Sequence, residues 1–196
     1  MKTVDIYDFD GTIYRGESTV DFIRFLLKKQ KSLIFTLLRC VPGAVRLLLD
    51  RDLTVFKSNL FGHLAERVEL DDEGRAFWET ETAKEKINEW FINRKRDVPT
   101  IIASASPDFE LKWIAERMDA DLICTNCDKK TGRIIGQNCK SSEKVRKIKE
   151  KYGDVKVRSM YTDNVVADRP LLELAEEKYK VDPKSGEVTR ITESFS

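Results

Sequence analysis

A parallel α/β sheet with an all-helical insertion is the fold class the sequence predicts, and three observations carry it. Apolar Val4 and Ile6 alternate within Thr3 to Tyr7, and this strand pattern runs into a glycine-bearing turn, Asp8-Phe9-Asp10-Gly11-Thr12. From Ser18 to Lys95 the apolar residues keep a helical spacing, and no segment reads as a strand. After Val98, strand and helix patterns alternate to the end of the chain. A length of 196 residues suits one domain with an insertion, and 41% hydrophobic residues are enough for a core.

The elements follow in order. Phe22, Phe25 and Leu26 mark a first helix, Asp52 to Arg67 a second, and Asp71 to Lys95 a third whose acidic start favours a helix N-terminus. Val98 to Ala103 is a compact β-like run. Ser106 reads as the cap of a helix that opens on Pro107 and carries Phe109, Trp113, Ile114 and Met118. Asp121 to Thr125 is a strand, and Lys129 to Gly132 turns a hairpin back through Ile134 and Ile135. Ser141 and Ser142 start a helix over Glu143 to Lys151. Val155 to Tyr161 is a strand, Leu171 to Lys178 a helix, and Val181 to Ile191 a hairpin turning at Ser185-Gly186. The expected division is a core of residues 1–14 and 97–196 and a helical cap of residues 15–96.

The net charge of +1 lacks the basic excess of a nucleic-acid binder. Cys40, Cys124, Cys127 and Cys139 are too scattered for a disulfide framework, which points to a reducing cytoplasm. The first eight residues include acids and lack an apolar run, unlike a secretory signal.

Four clusters fall at the expected C-terminal ends of strands, where open α/β sheets bind ligands. Asp8 and Asp10 stand two apart before Gly11-Thr12. Phosphoryl transfer needs a nucleophile and a separate proton donor, so a pair of carboxylates is a reasonable minimum. Two anions repel a phosphate, hence the need for Mg²⁺ and a lysine. The bland alternative is a capped turn. Ser104 with the following amide of Ala105 suits phosphate oxygens beside a helix start, or is a plain cap. Lys144 near a helix start can neutralise phosphate charge, with Lys140 and Lys147 as rivals. Asp163 and Asp168 supply hard oxygens for Mg²⁺, or form an acidic capping loop.

In this order the four motifs resemble the haloacid dehalogenase superfamily of phosphohydrolases, and the insertion after the first motif resembles the cap of its phosphoserine-phosphatase-like branch. The resemblance implies a Rossmann-like core. It implies Asp8 as nucleophile and Asp10 as acid and then base. It implies Asp8, the Asp10 carbonyl and Asp163 as metal ligands, and Asp168 as a ligand through water or an orienting residue. Ser104 and Lys144 would hold the phosphoryl group. Phe25-Leu26-Leu27-Lys28-Lys29-Gln30, Asn138-Cys139 with Glu143-Lys144-Val145, and Tyr161-Thr162-Asp163-Asn164 before Asp168-Arg169-Pro170 are similar to phosphatidylglycerophosphatase C-like proteins. That similarity makes a lipid phosphate one candidate substrate. Phosphoserine or another small metabolite is the second, and a non-catalytic phosphate-binding scaffold with the same fold is the alternative of another class. Asn164 stands where serine is common, and Asp168 lies five residues after Asp163 where four is usual.

Glu17, seven residues after Asp10, is a candidate for substrate recognition or a helix N-terminal charge. Leu33 to Leu49 is the most apolar stretch; Arg39 and Arg46 and its length disfavour a span. A peripheral helix at the inner membrane face competes with burial inside the cap or a dimer interface, and burial is favoured. Cys124-x-x-Cys127 reads as buried thiols rather than half a zinc site, and Trp78, Trp90 and Phe91 read as cap core.

Overall fold

The structure, a computed structural model, describes residues 2–40 and 53–192. The Asp8–Thr12 turn ends strand β1 (Lys2–Tyr7). Helices α1 (Ser18–Lys29), α2 (Leu33–Leu38), α3 (Leu53–Ala65), α4 (Leu70–Glu79), α5 (Glu81–Lys84) and α6 (Glu89–Asn93) follow. Then come β2 (Thr100–Pro107), α7 (Asp108–Arg117), β3 (Asp121–Thr125), α8 (Ser142–Tyr152), β4 (Val155–Thr162), α9 (Arg169–Leu172), β5 (Ala175–Val181) and β6 (Val188–Arg190). The sheet order is β3-β2-β1-β4-β5-β6. The first five strands in that order are parallel, and β6 closes the edge antiparallel to β5.

Strand alternation gives the sheet two apolar faces. Val4, Ile6, Ile101, Ala103 and Met160 pack with Ile148 of α8 and Leu171 and Leu172 of α9. Tyr7, Ile102 and Tyr161 face the other way, against α7 and the inserted helices, in one continuous cluster. Trp78 and Phe91 are buried there, as read from the sequence; Phe9 and Tyr14 meet Trp78, and Tyr7 meets Phe91 edge-on. On α1, Phe22 and Leu26 are buried one turn apart, with Asp21 near the N-terminus and Lys28 and Lys29 at the end.

Three expectations need correction. Asp71 to Lys95 is not one helix. Thr80 is extended and its hydroxyl accepts the Ala83 N–H, so a new helix starts there. The chain opens again at Asn88, whose Nδ2 donates to the Thr12 carbonyl (2.6 Å) and whose N–H donates to the Ile13 carbonyl (2.8 Å). Helix continuity thus yields to a contact with the Asp8–Thr12 turn. Second, the Leu171–Lys178 helix stops at Leu172, and residues from Ala175 pair with β4 as β5. The C-terminal hairpin turns at Asp182–Gly186 as read, but its first strand begins at Ala175. Third, the hairpin after β3 reduces to a single bridge between Cys127 and Ile134.

Residues 41–52, with Arg46 and much of the Leu33–Leu49 stretch, lie outside the described residues. In the described part, Leu33 is buried, while Ile34, Phe35 and Leu38 are exposed. No helix among the described residues is long and apolar enough to cross a membrane.

Candidate active site

The chain leaves β1 for β2 and β3 on one side and returns to β4 on the other, so the strand order reverses beside β1. Crevices at such reversals, outside the C-terminal strand ends, are where α/β sheets bind ligands. Asp8 follows β1, Ser104 and Ala105 lie in the C-terminal half of strand β2, and Asp163 follows β4. A cavity of about 580 Å³ opens there, lined by Asp8, Asp10, Glu17, Ser104, Ala105, Lys144, Asp163 and Asp168, so every site residue read from the sequence meets in it. A larger depression of about 850 Å³ lies at the other end of the sheet, near Thr100 and Asp121, and holds none of them.

The turn after β1 is built tightly. The Asp8 N–H donates to the Tyr161 carbonyl (2.9 Å), and the Asp163 N–H donates to Thr12 Oγ1 (2.8 Å). Gly11 has φ of +71°, and a methyl group there would overlap the Asp163 carboxylate. Gly11 therefore lets the two carboxylate-bearing loops approach.

Lys144, 3% exposed, donates from Nζ to Asp8 Oδ1 (2.9 Å) and Asp168 Oδ1 (2.7 Å). Thr162 Oγ1 donates to Asp168 Oδ2 (2.8 Å). Asp168 is thus engaged by a lysine and a hydroxyl. Of the rival lysines, Lys147 donates to the Cys124 carbonyl, and Lys140 only lines the cavity. Burial pushes the Asp8 carboxyl well above the ordinary carboxylate range despite Lys144, with Asp168 and Asp10 adding to the push. Burial, then Asp168, likewise raises Asp163. The two acids raise Lys144, against its burial.

Asp10 is held on both oxygens. Oδ1 accepts the Ser18 N–H (2.6 Å), and Oδ2 accepts the Ser106 hydroxyl (2.6 Å). Ser106 therefore does not cap α7: β2 runs on through Pro107 and its hydroxyl turns to Asp10. The Ser106 N–H donates to Ser104 Oγ (3.0 Å). Glu17 sits just before α1 at the rim, exposed in area; partial burial, then Asp10 and Asp163, raise its carboxyl.

Sequence reasoning missed three participants. Lys57 of α3 donates to the Ala105 carbonyl (3.0 Å) and reaches Asn138 Oδ1 (3.4 Å), tying an inserted helix to the floor of the cavity. Burial lowers its ammonium, against the pull of Asp10, Glu110 and Glu17. Ser106 and Glu110 form the others. A lysine or glutamate within a helix carries no local signal of this kind, because most such residues are solvated.

Among the described residues, no three His, Cys, Asp or Glu side chains are gathered closely enough to hold an ion by themselves. Asp8 and Asp163 bring two hard carboxylates to one cavity, and both carboxyls are pushed up, first by burial and then by neighbouring acids, a push that a divalent cation beside them would offset. The residues fit Mg²⁺ in that sense.

The chain resembles known proteins over most of its length. The chain is 27% identical over 186 residues to protein CicA of Caulobacter vibrioides, covering 88% of this chain and 82% of that protein. A protein of unknown function from Bordetella pertussis Tohama I has a similar structure, with a TM-score of 0.74 at 19% identity over 95% of this chain and 92% of that one. A phosphoserine phosphohydrolase-like protein from Francisella tularensis gives a TM-score of 0.55 at 18% identity, over 91% and 86% of the two chains. At these identities the two structures establish the fold alone. The sequence profile of the haloacid dehalogenase-like hydrolases matches residues 6–173, and the chain belongs to that family.

Proposed function

We propose that the chain hydrolyses phosphate monoesters through a phosphoryl group carried on Asp8. The observation that carries this reading is the convergence of Asp8, Asp10, Ser104 and Lys144 on the floor of one cavity, with Lys144 Nζ 2.9 Å from Asp8. An Asp8 oxygen attacks phosphorus while the bond to the ester oxygen breaks. Asp10 gives that oxygen its proton and later takes one from the water that releases phosphate. Ser104 and the Ala105 amide receive the phosphoryl oxygens, and Lys144 supplies positive charge beside them. Asp168 positions Lys144. The family generally uses Mg²⁺. Asp8, Asp163 and the Asp10 carbonyl would hold it, and when bound it offsets charge on the phosphoryl oxygens. On this reading residues 15–96 are the cap over a core of residues 1–14 and 97–196.

The cavity walls favour an ester with an apolar tail, such as a lipid phosphate. Val20, Ile23, Leu37, Leu53, Phe56 and Leu60 line it together with the polar residues. A smaller zwitterionic substrate such as phosphoserine is the second reading, favoured by Glu17 and Lys57 in the same wall. Phosphate release is to be measured with Mg²⁺ and with chelator, on nitrophenyl phosphate, a detergent-dispersed lipid phosphate and phosphoserine. Metal-dependent release with the lipid ester preferred is expected. Metal-independent release, or none, contradicts the reaction; preference for phosphoserine contradicts the lipid choice.

A further inference from the structure

Glu110, in the first turn of α7, is completely buried behind Asp10. Its Oε1 has no hydrogen-bond partner among the described residues. Its Oε2 stands 2.9 Å from Thr19 Oγ1, which is 3.1 Å from Ser106 Oγ, which is 2.6 Å from Asp10 Oδ2. Two carboxyls are thus joined by two hydroxyls in a line of three contacts. Ser18 Oγ lies 3.5 Å from Ser106, at the weak limit, and stands beside the line.

The hydrogens can be counted. The two hydroxyls bring one each, so with both carboxyls ionised one of the three contacts has none and two sets of lone pairs face each other. A single added proton satisfies all three. If it sits on Glu110, every hydrogen points toward Asp10. If it sits on Asp10, every hydrogen points toward Glu110. Buried polar groups without hydrogens to share are costly, so the line favours one shared proton. The surroundings agree. Burial pushes the Glu110 carboxyl up to about 8, with the charge of Asp10 adding to this and Ser18, Thr19 and Lys57 opposing it.

We propose that Glu110 is the far end of a proton relay, through Thr19 and Ser106, that fixes the orientation of Asp10 and stores the proton Asp10 delivers. This rests on the phosphatase reading. Glu110 gives its proton to Thr19, Thr19 gives its own to Ser106, and Ser106 gives its own to Asp10 Oδ2. The Oδ2–H then turns from Ser106 to the ester oxygen, and Asp10 passes the proton on as that oxygen's bond to phosphorus breaks and the bond between phosphorus and Asp8 forms. In the second half, Asp10 takes a proton from the attacking water, and the same transfers in reverse restore Glu110. Glu110 touches neither substrate nor reacting atoms, so it is a positioning residue and a proton store.

Glu110→Gln and Thr19→Val test this. The first substitution keeps a donor toward Thr19 but leaves no proton to give, and the second cuts the line. Each should lower kcat on an alkyl phosphate about tenfold with KM little changed, while nitrophenyl phosphate, which needs no proton on its leaving group, loses far less. The double variant should be no worse than either alone, since both break one line. Equal losses on both esters, additive losses, or no loss overturn the relay. Infrared spectroscopy gives a readout independent of turnover: a carboxylic acid C=O band at neutral pH that disappears in Glu110→Gln. Absence of that band overturns the relay whether or not any ester is cleaved, whereas a wild-type chain that cleaves neither ester contradicts the phosphatase reading.

Discussion

Replacing Glu110 by Gln also changes how stability depends on pH, and the size of the change follows from burial. In the unfolded chain this carboxyl titrates near 4.5; in the folded chain it is held up to about 8. Between those values the folded state keeps a proton that the unfolded state has lost. A raised carboxyl therefore contributes its full share below the unfolded pKa and loses it as pH rises through the folded one. The slope is about −1.4 kcal/mol per pH unit, so about 4 kcal/mol is at stake from pH 5 to 8. Gln does not titrate. Asp8 and Asp163 titrate in both proteins and largely cancel in the difference. The stability of Glu110→Gln relative to wild type should therefore climb by about 1.4 kcal/mol per pH unit across neutrality. Urea unfolding of both proteins at three pH values between 5.5 and 7.5 measures it. A constant difference over that range would refute the argument, because it would mean that Glu110 is already ionised in the folded protein.

Asp10→Asn should leave the fold intact and slow alkyl phosphates far more than nitrophenyl phosphate, by about a hundredfold or more on the former; equal losses in parallel assays count against its acid role. Lys144→Met leaves Asp8 and Asp168 buried without their shared cation, so turnover should drop to background and stability should fall by about 3–5 kcal/mol at pH 8. That loss should shrink at pH 5 as Asp8, whose carboxyl burial already pushes up, takes up a proton, and denaturant midpoints at the two pH values check the sign. Gly74 of α4 lies against the Phe109 carbonyl, where a methyl group would overlap backbone. Gly74→Ala should therefore destabilise by about 1–2 kcal/mol, overpacking outweighing the gain in helix propensity, and an unchanged urea midpoint would contradict that close contact.

The parts of this molecule that can be read from its sequence are those with a local cause. Val4 and Ile6 alternate, Gly11 allows the turn, and Asp8 and Asp10 follow at a spacing that few structural needs demand. The Asp163 and Lys144 motifs are legible because each follows a strand or starts a helix. β5 is not, because Ala175-Glu176-Glu177-Lys178 consists of good helix formers. Their strand state comes from pairing with β4, a nonlocal contact that overrides propensity. The breaks at Thr80 and Asn88 are hidden for a related reason: Asn88 leaves the helix to bond Thr12 and Ile13, more than seventy residues away. Ser106 looks like a cap because a serine before Pro107 usually is one; its hydroxyl is taken instead by Asp10. Lys57 and Glu110 carry no signal, since their roles arise only when α3 reaches the cavity and α7 brings Glu110 to Thr19.

The covalent role of Asp8 is tested most directly by trapping the intermediate. The protein is mixed with a radiolabelled phosphate ester and Mg²⁺, quenched in acid and digested, and the label is located by peptide. Label is expected on the peptide carrying Asp8, released by hydroxylamine as an acyl phosphate is, enriched in Asp10→Asn and absent in Asp8→Asn. Steady turnover with no label on that peptide, or turnover and label that survive in Asp8→Asn, would contradict it.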